Sequence, residues 1–250
     1  MDFEFTYYQH ELDATIQALD AQTQLDRCVQ TLDPASCNGI TRNQVGAINS
    51  FSNILTNLGG TDTEGYDFLV HYLSPEWGFG QIDVQWLSTY VDSFTKFVPT
   101  STGFQSIGLV GIEENDSGIP RWLSSLITNW NLDRWNVAWT MRYIHKIEES
   151  CSDFLDGTPN SFAQLGLCSQ PNFANEPLSV NKLGSTVYHD LQAVFEIGDF
   201  GGFDTSVSFG IINAFDKDPP ICHSCSLNGY DASLYNVPGQ FWYARVGLSR

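Results

Sequence analysis

Cys222-His223-Ser224-Cys225 is the most chemically specific short spacing in the chain. A C-x-x-C pair can cycle between dithiol and disulfide or supply half of a zinc site. No second C-x-x-C follows to complete a zinc set, and the haem-attachment form needs histidine directly after the second cysteine. The other four cysteines also pair by proximity, Cys28 with Cys37 and Cys151 with Cys168. An even number of closely spaced cysteines reads as loop disulfides formed in an oxidising compartment. Pairing by proximity is one of several connectivities that six cysteines allow.

Carboxylates and histidines offer less. Glu113-Glu114-Asn115-Asp116 has the composition to bind a cation, but a charge run in a polar loop reads first as a solvated face. Asp62 and Glu64 share one side of a strand, as any loop edge would arrange. His71, His145 and His189 fall on three different strands and read as wall or interface residues, not as one ligand set. No nucleophile elbow, phosphate loop, H-E-x-x-H or dinucleotide fingerprint occurs. The expectation is therefore a protein that is not an enzyme, with no catalytic residue, metal or cofactor.

Composition narrows the class. Asp+Glu 29 against Lys+Arg 11 leaves a net charge of −18, which repels phosphate backbones and anionic membrane surfaces and excludes nucleic acid as a partner. Charged residues make up 16% and aromatics 14%, the reverse of an acidic disordered tail, so the chain folds. At 250 residues it can bury a core as one large β domain or two smaller ones. Apolar stretches such as Ile107 to Ile112 fall far short of the roughly 20 residues of a spanning helix. Met1-Asp2-Phe3-Glu4-Phe5 is not a signal peptide and reads as a strand already under way, so Met1 is expected to be the edge of a fragment.

The elements that hold these residues show a period of two. Trp135, Val137, Trp139, Met141, Tyr143, His145 and Ile147 alternate with Asn136, Thr140, Arg142 and Lys146. Val187 to Ile197, Phe203 to Phe215 and Trp242 to Leu248 repeat the rule, as do Tyr66 to Tyr72 and Ile82 to Tyr90. Eight strands are predicted, at 2–10, 62–73, 81–97, 119–131, 135–147, 183–198, 203–216 and 239–250. Tight turns near 75–80, 132–134 and 199–202 alternate with long connections at 11–61, 98–118, 148–182 and 217–238, and all the cysteines lie in the long set. Leu12, Ile16 and Leu19, then Leu25, Val29 and Leu32, recur at helical spacing and predict one or two short packing helices in the first long connection.

A greasy strand face can be a protein core or a lipid contact. Sandwich strands are typically about 5–6 residues with similar loops at both ends. Transmembrane barrels need about 9–11 residues per tilted strand, short turns on one side, long loops on the other and aromatic girdles. Trp130, Trp135, Trp139, Tyr143, Tyr72 and Trp242 lie near strand ends, where a girdle would sit. The pattern reads as all-β: an antiparallel transmembrane β-barrel portion of about eight strands, with long external loops and a short helical insertion. A secreted soluble β-sandwich binding module and a small self-closing eight-stranded barrel are the rivals.

The C-terminal third carries a resemblance. Phe209-Gly210-Ile211-Ile212-Asn213-Ala214-Phe215-Asp216-Lys217-Asp218-Pro219-Pro220, then Tyr230-Asp231 and Tyr235-Asn236-Val237-Pro238-Gly239-Gln240-Phe241-Trp242, resembles the closing strands of TonB-dependent outer-membrane receptors. Ile119-Pro120-Arg121-Trp122, Trp130 and Trp135 to Ile144 look like the preceding hairpin. Tyr188-His189-Asp190-Leu191-Gln192, Thr41-Arg42-Asn43 and Asn57-Leu58-Gly59 with Gly65-Tyr66-Asp67 are similar too, so the resemblance covers essentially the whole chain. Within it, Asn213, Phe215 and Asp216 are expected to end a strand at the membrane surface, Pro219-Pro220 to turn into an external loop, and Pro238-Gly239 to start the last strand.

The resemblance implies that residues 1–250 are the C-terminal segment of a barrel of about 22 strands, without the N-terminal plug. It implies the outer membrane of a Gram-negative bacterium, with long loops extracellular and termini periplasmic. The complete receptor would bind a scarce ligand, an iron chelate, vitamin B12 or an oligosaccharide, and import it with TonB-supplied energy. Its implied partners are outer-membrane lipid, the barrel assembly machinery and, through the missing N-terminal part, the TonB energy-coupling complex. No ligand-contacting residue of the family maps onto this chain. The family's last strand usually finishes on an aromatic residue, whereas this chain finishes on Leu248-Ser249-Arg250.

Overall fold

The computed structural model describes residues 1–18, 21–32, 34–52, 55–57, 59–100, 103–114, 116–151, 159, 161–168, 178–225, 228–236 and 239–250. The predicted alternation becomes one antiparallel sheet whose main path runs β1 (Asp2–Asp13), β2 (Gly60–Leu73), β3 (Gln81–Pro99), β4 (Trp122–Leu132), β5 (Trp135–Ile144), β6 (Thr186–Asp199), β7 (Asp204–Ile212) and β8 (Phe241–Ser249). Each strand pairs with its neighbours along the chain, an up-and-down meander, and Phe104–Gly108 folds back on β3 as a ninth strand off the path. The eight strands are 9 to 19 residues long.

Pairing aligns the alternation into two faces. Trp130 opposes Val137, which opposes Ala193, which opposes Phe209, which opposes Ala244. Val70 opposes Trp86 and Phe3, and Phe5 opposes Phe68, so the same apolar face continues to the other edge. The opposite face is stitched by polar contacts: Thr89 Oγ1 donates to Asp67 at 2.7 Å, His71 meets Asp83 at 2.9 Å, and Arg142 meets Asp190 at 3.5 Å. Among the described residues no second sheet covers the apolar face: Phe209 is 63% exposed, Trp242 65% and Val246 66%. A sandwich would bury these side chains. Nor do β1 and β8 pair with each other, so these strands leave the sheet open at both edges.

Short and long connections segregate as predicted. Turns 74–80, 133–134 and 200–203 lie at one end of the meander; 14–59, 100–121, 145–185 and 213–240 lie at the other. Trp130 Nε1 donates to Phe79 O at 2.7 Å and ties the first turn down. The buried core sits at the long-loop end, where Ile144, Ile147, Leu183, Tyr188, Cys222, Cys225, Tyr230 and Tyr235 cluster.

Several boundaries differ from those read in the sequence, each for a local reason. The strand expected from 119 starts at Trp122, because Pro120 has no N–H for a ladder and Ile119 bonds Ile112 instead. Those expected to reach 147 and to begin at 183 are cut at Ile144 and Thr186, because Ile147–Ser150 and Leu178–Leu183 pair in a separate small sheet. β7 stops at Ile212, where Asn213 turns to φ 53°, and β8 begins at Phe241. Leu12 and Ile16 lie in strands, not in a helix. The helices are α1 (Ala21–Thr31) and α2 (Pro34–Cys37), and Leu19 lies outside the described residues. Leu25 is half-buried on α1 while Val29 and Leu32 are exposed, and the Cys28–Cys37 disulfide and a Gln24 Nε2 to Asn38 O bond of 2.9 Å hold α1 to α2.

Both outer hairpins repeat one device on the polar face. Tyr8 lies over Gly65, its partner across β1 and β2, and Tyr243 lies over Gly210, its partner across β7 and β8. A Cβ at Gly210 would occupy the place of the Tyr243 ring. Gly210→Val is expected to expel that ring and destabilise the β7–β8 pair by about 1–3 kcal/mol. Amide exchange across β8 measures it; unchanged protection would show that the ring contributes nothing there.

Candidate functional site

The long connections build a second structure at their end of the sheet. Ile112–Glu113 pairs in parallel with Ile147–Ser150, which pairs antiparallel with Leu178–Leu183. This register sets Glu113 directly beside Glu149, and both are 0% exposed. Glu113 therefore does not lie on a solvated face. Pairing turns Glu113 inward, while Glu114 reaches Lys96 at 3.9 Å.

The Cys222–Cys225 disulfide packs against both glutamates: Cys225 Sγ is 3.7 Å from Glu113 Oε1 and Cys222 Sγ is 3.5 Å from Glu149 Oε1. Ser224 N–H donates to Glu149 Oε1, and Asn181 Nδ2 donates to Glu149 Oε2 at 2.6 Å. Ser117 N–H donates to Glu113 Oε1 at 3.2 Å. A third buried carboxylate, Asp231, accepts from Gly118 N–H at 3.0 Å and Ser233 N–H at 2.7 Å. Gly118 lies close against the cluster, and a Cβ there would displace the tips of Glu113, Leu234 and Ile147.

Burial raises the Glu113 carboxyl first, and its hydrogen bond and charge repulsion with Asp231 add to this, so that it is pushed up to about 8. For Asp231 burial pulls upward too, but hydrogen bonds from Glu113, Ser233 and Gly118 outweigh it and hold the carboxylate below its usual range. Burial also pushes the Tyr235 phenol up, with Glu113 and Asp231 adding to the shift.

The family-motif residues gather at the same end. Asn213 is buried; its Oδ1 accepts from Lys217 N–H at 2.8 Å, its Nδ2 donates to Lys217 O at 3.0 Å, and its own N–H donates to Asp190 Oδ1 at 2.8 Å. Asp216 Oδ1 accepts from Gln240 N–H at 2.7 Å, and a Cβ on Gly239 would strike the same oxygen. Phe215 is exposed and stands edge-on to His189, which stacks on Trp139. Tyr230 and Asp231 join the buried cluster, and Pro219 and Pro220 lie half-buried on the path towards it. Pro238 lies outside the described residues. Cys151–Cys168 closes the second cysteine pair in the loop that leads to Leu178–Leu183. Glu149, Asn181 and Gly118 were not singled out in the sequence, where nothing distinguishes them from surface residues.

No protein-family model matches the chain, and no curated protein matches it by sequence. Among solved structures it is similar to a mutant ferric enterobactin receptor (PfeA) of Pseudomonas aeruginosa, with TM-score 0.56 and 14% identity over 98% of this chain and 28% of the receptor. It is also similar to the siderophore receptor PirA of Acinetobacter baumannii, with TM-score 0.52 and 16% identity over 98% of this chain and 29% of that one. The chain thus has the fold of a receptor barrel segment and spans less than a third of either receptor's length.

The two coupled acids predict opposite pH limbs. With its folded value above its unfolded one, Glu113 contributes stability that is complete below about pH 4.5 and lost as pH rises through about 8. Asp231, held low, contributes stability above its usual value and loses it as pH falls. Protection factors at Gly118 and Tyr235, whose N–H groups bond to Asp231, should fall on the alkaline side, and Glu113→Gln should flatten that limb. An unchanged slope in the variant would refute the assignment.

Proposed function

We propose that this chain is a wall segment of a TonB-dependent receptor in the outer membrane of a Gram-negative bacterium. The long loops are extracellular, and the tight turns and termini are periplasmic. A single observation carries this reading: an apolar face spans eight strands without cover from the described residues, on a sheet with every long connection at one end. Outer-membrane lipid is the partner of that face, and the barrel assembly machinery inserts it. Loop disulfides suit an extracellular, oxidising position.

The receptor is a transporter rather than an enzyme. It takes up a scarce ligand with energy from the TonB complex, delivered through a plug outside residues 1–250. An iron chelate is the favoured ligand class over vitamin B12 or an oligosaccharide, because both similar structures are siderophore receptors. Uptake of radioactive ferric siderophore by cells carrying the whole receptor tests this; it should vanish without TonB, and TonB-independent uptake would overturn the reading.

Two arginines test the lipid face. Phe209→Arg should cost about 2–4 kcal/mol of stability in phospholipid vesicles, whereas Gln192→Arg on the opposite face should cost close to nothing. Equal effects in a denaturant titration would remove lipid as the partner of the apolar face.

A further inference from the structure

Cys222-His223-Ser224-Cys225 is not used by the transport reading, yet buried polar groups converge on it. A disulfide sulfur has no hydrogen to donate, so Glu113 Oε1 and Glu149 Oε1 face its electron pairs at 3.7 and 3.5 Å. Among the described residues no Lys, Arg or His nitrogen forms an ion pair with either glutamate. Glu113 Oε2 lies beside Gly118, which leaves Oε1 as the oxygen that faces the sulfurs. Buried carboxyl groups without a paired cation are ordinarily protonated, hydrogen-bonded or bound to metal.

We propose that Cys222, Cys225, Glu113 and Glu149 form a closed zinc site when the Cys222–Cys225 disulfide is reduced. In a tetrahedron with Zn–S of about 2.3 Å and Zn–O of about 2.0 Å, the sulfur-to-oxygen edge is about 3.5 Å. Two of the four sulfur-to-oxygen edges already match it, and to admit the ion the sulfurs must part from each other and the Glu149 carboxylate must close on the other ligands. Among the described residues, a Glu113 carboxylate oxygen and both sulfurs form a group whose ligand atoms all lie within 4.8 Å of one another, and Glu149 would join it as the fourth ligand. Two thiolates and two carboxylates leave zinc with the same net charge as a four-cysteine site, and thiolates select zinc over calcium or magnesium. Asn181 Nδ2, at 2.6 Å from Glu149 Oε2, and the Ser224 N–H orient the Glu149 carboxylate from outside.

The chemistry balances with a dithiol as reductant. Two electrons and two protons break the sulfur–sulfur bond and give two thiols, while the dithiol closes its own disulfide. Zinc then displaces both thiol protons to water. The disulfide closes a turn within the connection after β7, whereas the metal would tie that connection to the small sheet through Glu113 and Glu149.

The test uses the whole chain in detergent, reduced with a phosphine and titrated anaerobically with Co²⁺. The expected result is a thiolate-to-cobalt charge-transfer band with tetrahedral d–d absorption, displaced by Zn²⁺ and absent before reduction. Cys222→Ser with Cys225→Ser should abolish it while keeping the other four cysteines. Glu113→Gln and Glu149→Gln should shift the d–d bands. Asn181→Ala leaves the four ligands in place and should weaken binding by about 10–100-fold. No tetrahedral spectrum in the reduced wild type, or one that survives in the double serine variant, overturns the site. Unchanged affinity in Asn181→Ala removes Glu149 from it.

Discussion

If its apolar face lies in lipid, as proposed, the sheet must satisfy its main chain through its own strands, because hydrocarbon offers no partner to an N–H or C=O. Lateral pairing carries that requirement here. It explains why neighbours in sequence are neighbours in space, why the strands run well beyond ordinary sandwich length, and why regular alternation persists even though the two outer strands lack a second partner. It also displaces the core. With apolar side chains turned outward, the buried cluster forms where the long connections fold over the sheet end.

That displaced core is unusually acidic. Glu113, Glu149 and Asp231 are fully buried near one disulfide, and the main-chain N–H groups of Ser117, Gly118, Ser224 and Ser233 do much of the work that arginine or lysine does elsewhere. In a chain of net charge −18, basic side chains are scarce. Arg142 is committed to Asp190, Asn236 and the Tyr188 ring. Loops held this way keep their shape through backbone geometry rather than through ion pairs.

Long strands were legible because period two is a local property: Trp135 to Tyr143 announces its faces without knowledge of its partners. The turn and loop asymmetry was legible for the same reason. The small sheet was not, since Glu113, Glu149 and Leu183 meet only after some 70 residues of chain have been folded back, and two- to six-residue strands carry no period to count. Glu113 was misread because burial is a property of partners. Leu12 and Ile16 belong to a helical spacing over which strand pairing prevails, with Leu12 opposite Thr61 and Ile16 opposite Asn57. The motif around Asn213 was readable as a turn, but its placement against Asp190 depended on the neighbouring strand.

The tyrosine rings over Gly65 and Gly210 occupy equivalent places in the first and last hairpins. Each ring fits only opposite a residue without a side chain, so it acts as a key that matches one alignment of its strand and rejects a slip of two, the smallest shift that keeps the faces correct. The two outermost strands therefore come to any further strand with their free hydrogen-bonding rows already indexed. Extension of the wall at either side becomes a question of docking onto a fixed ruler rather than of choosing a register.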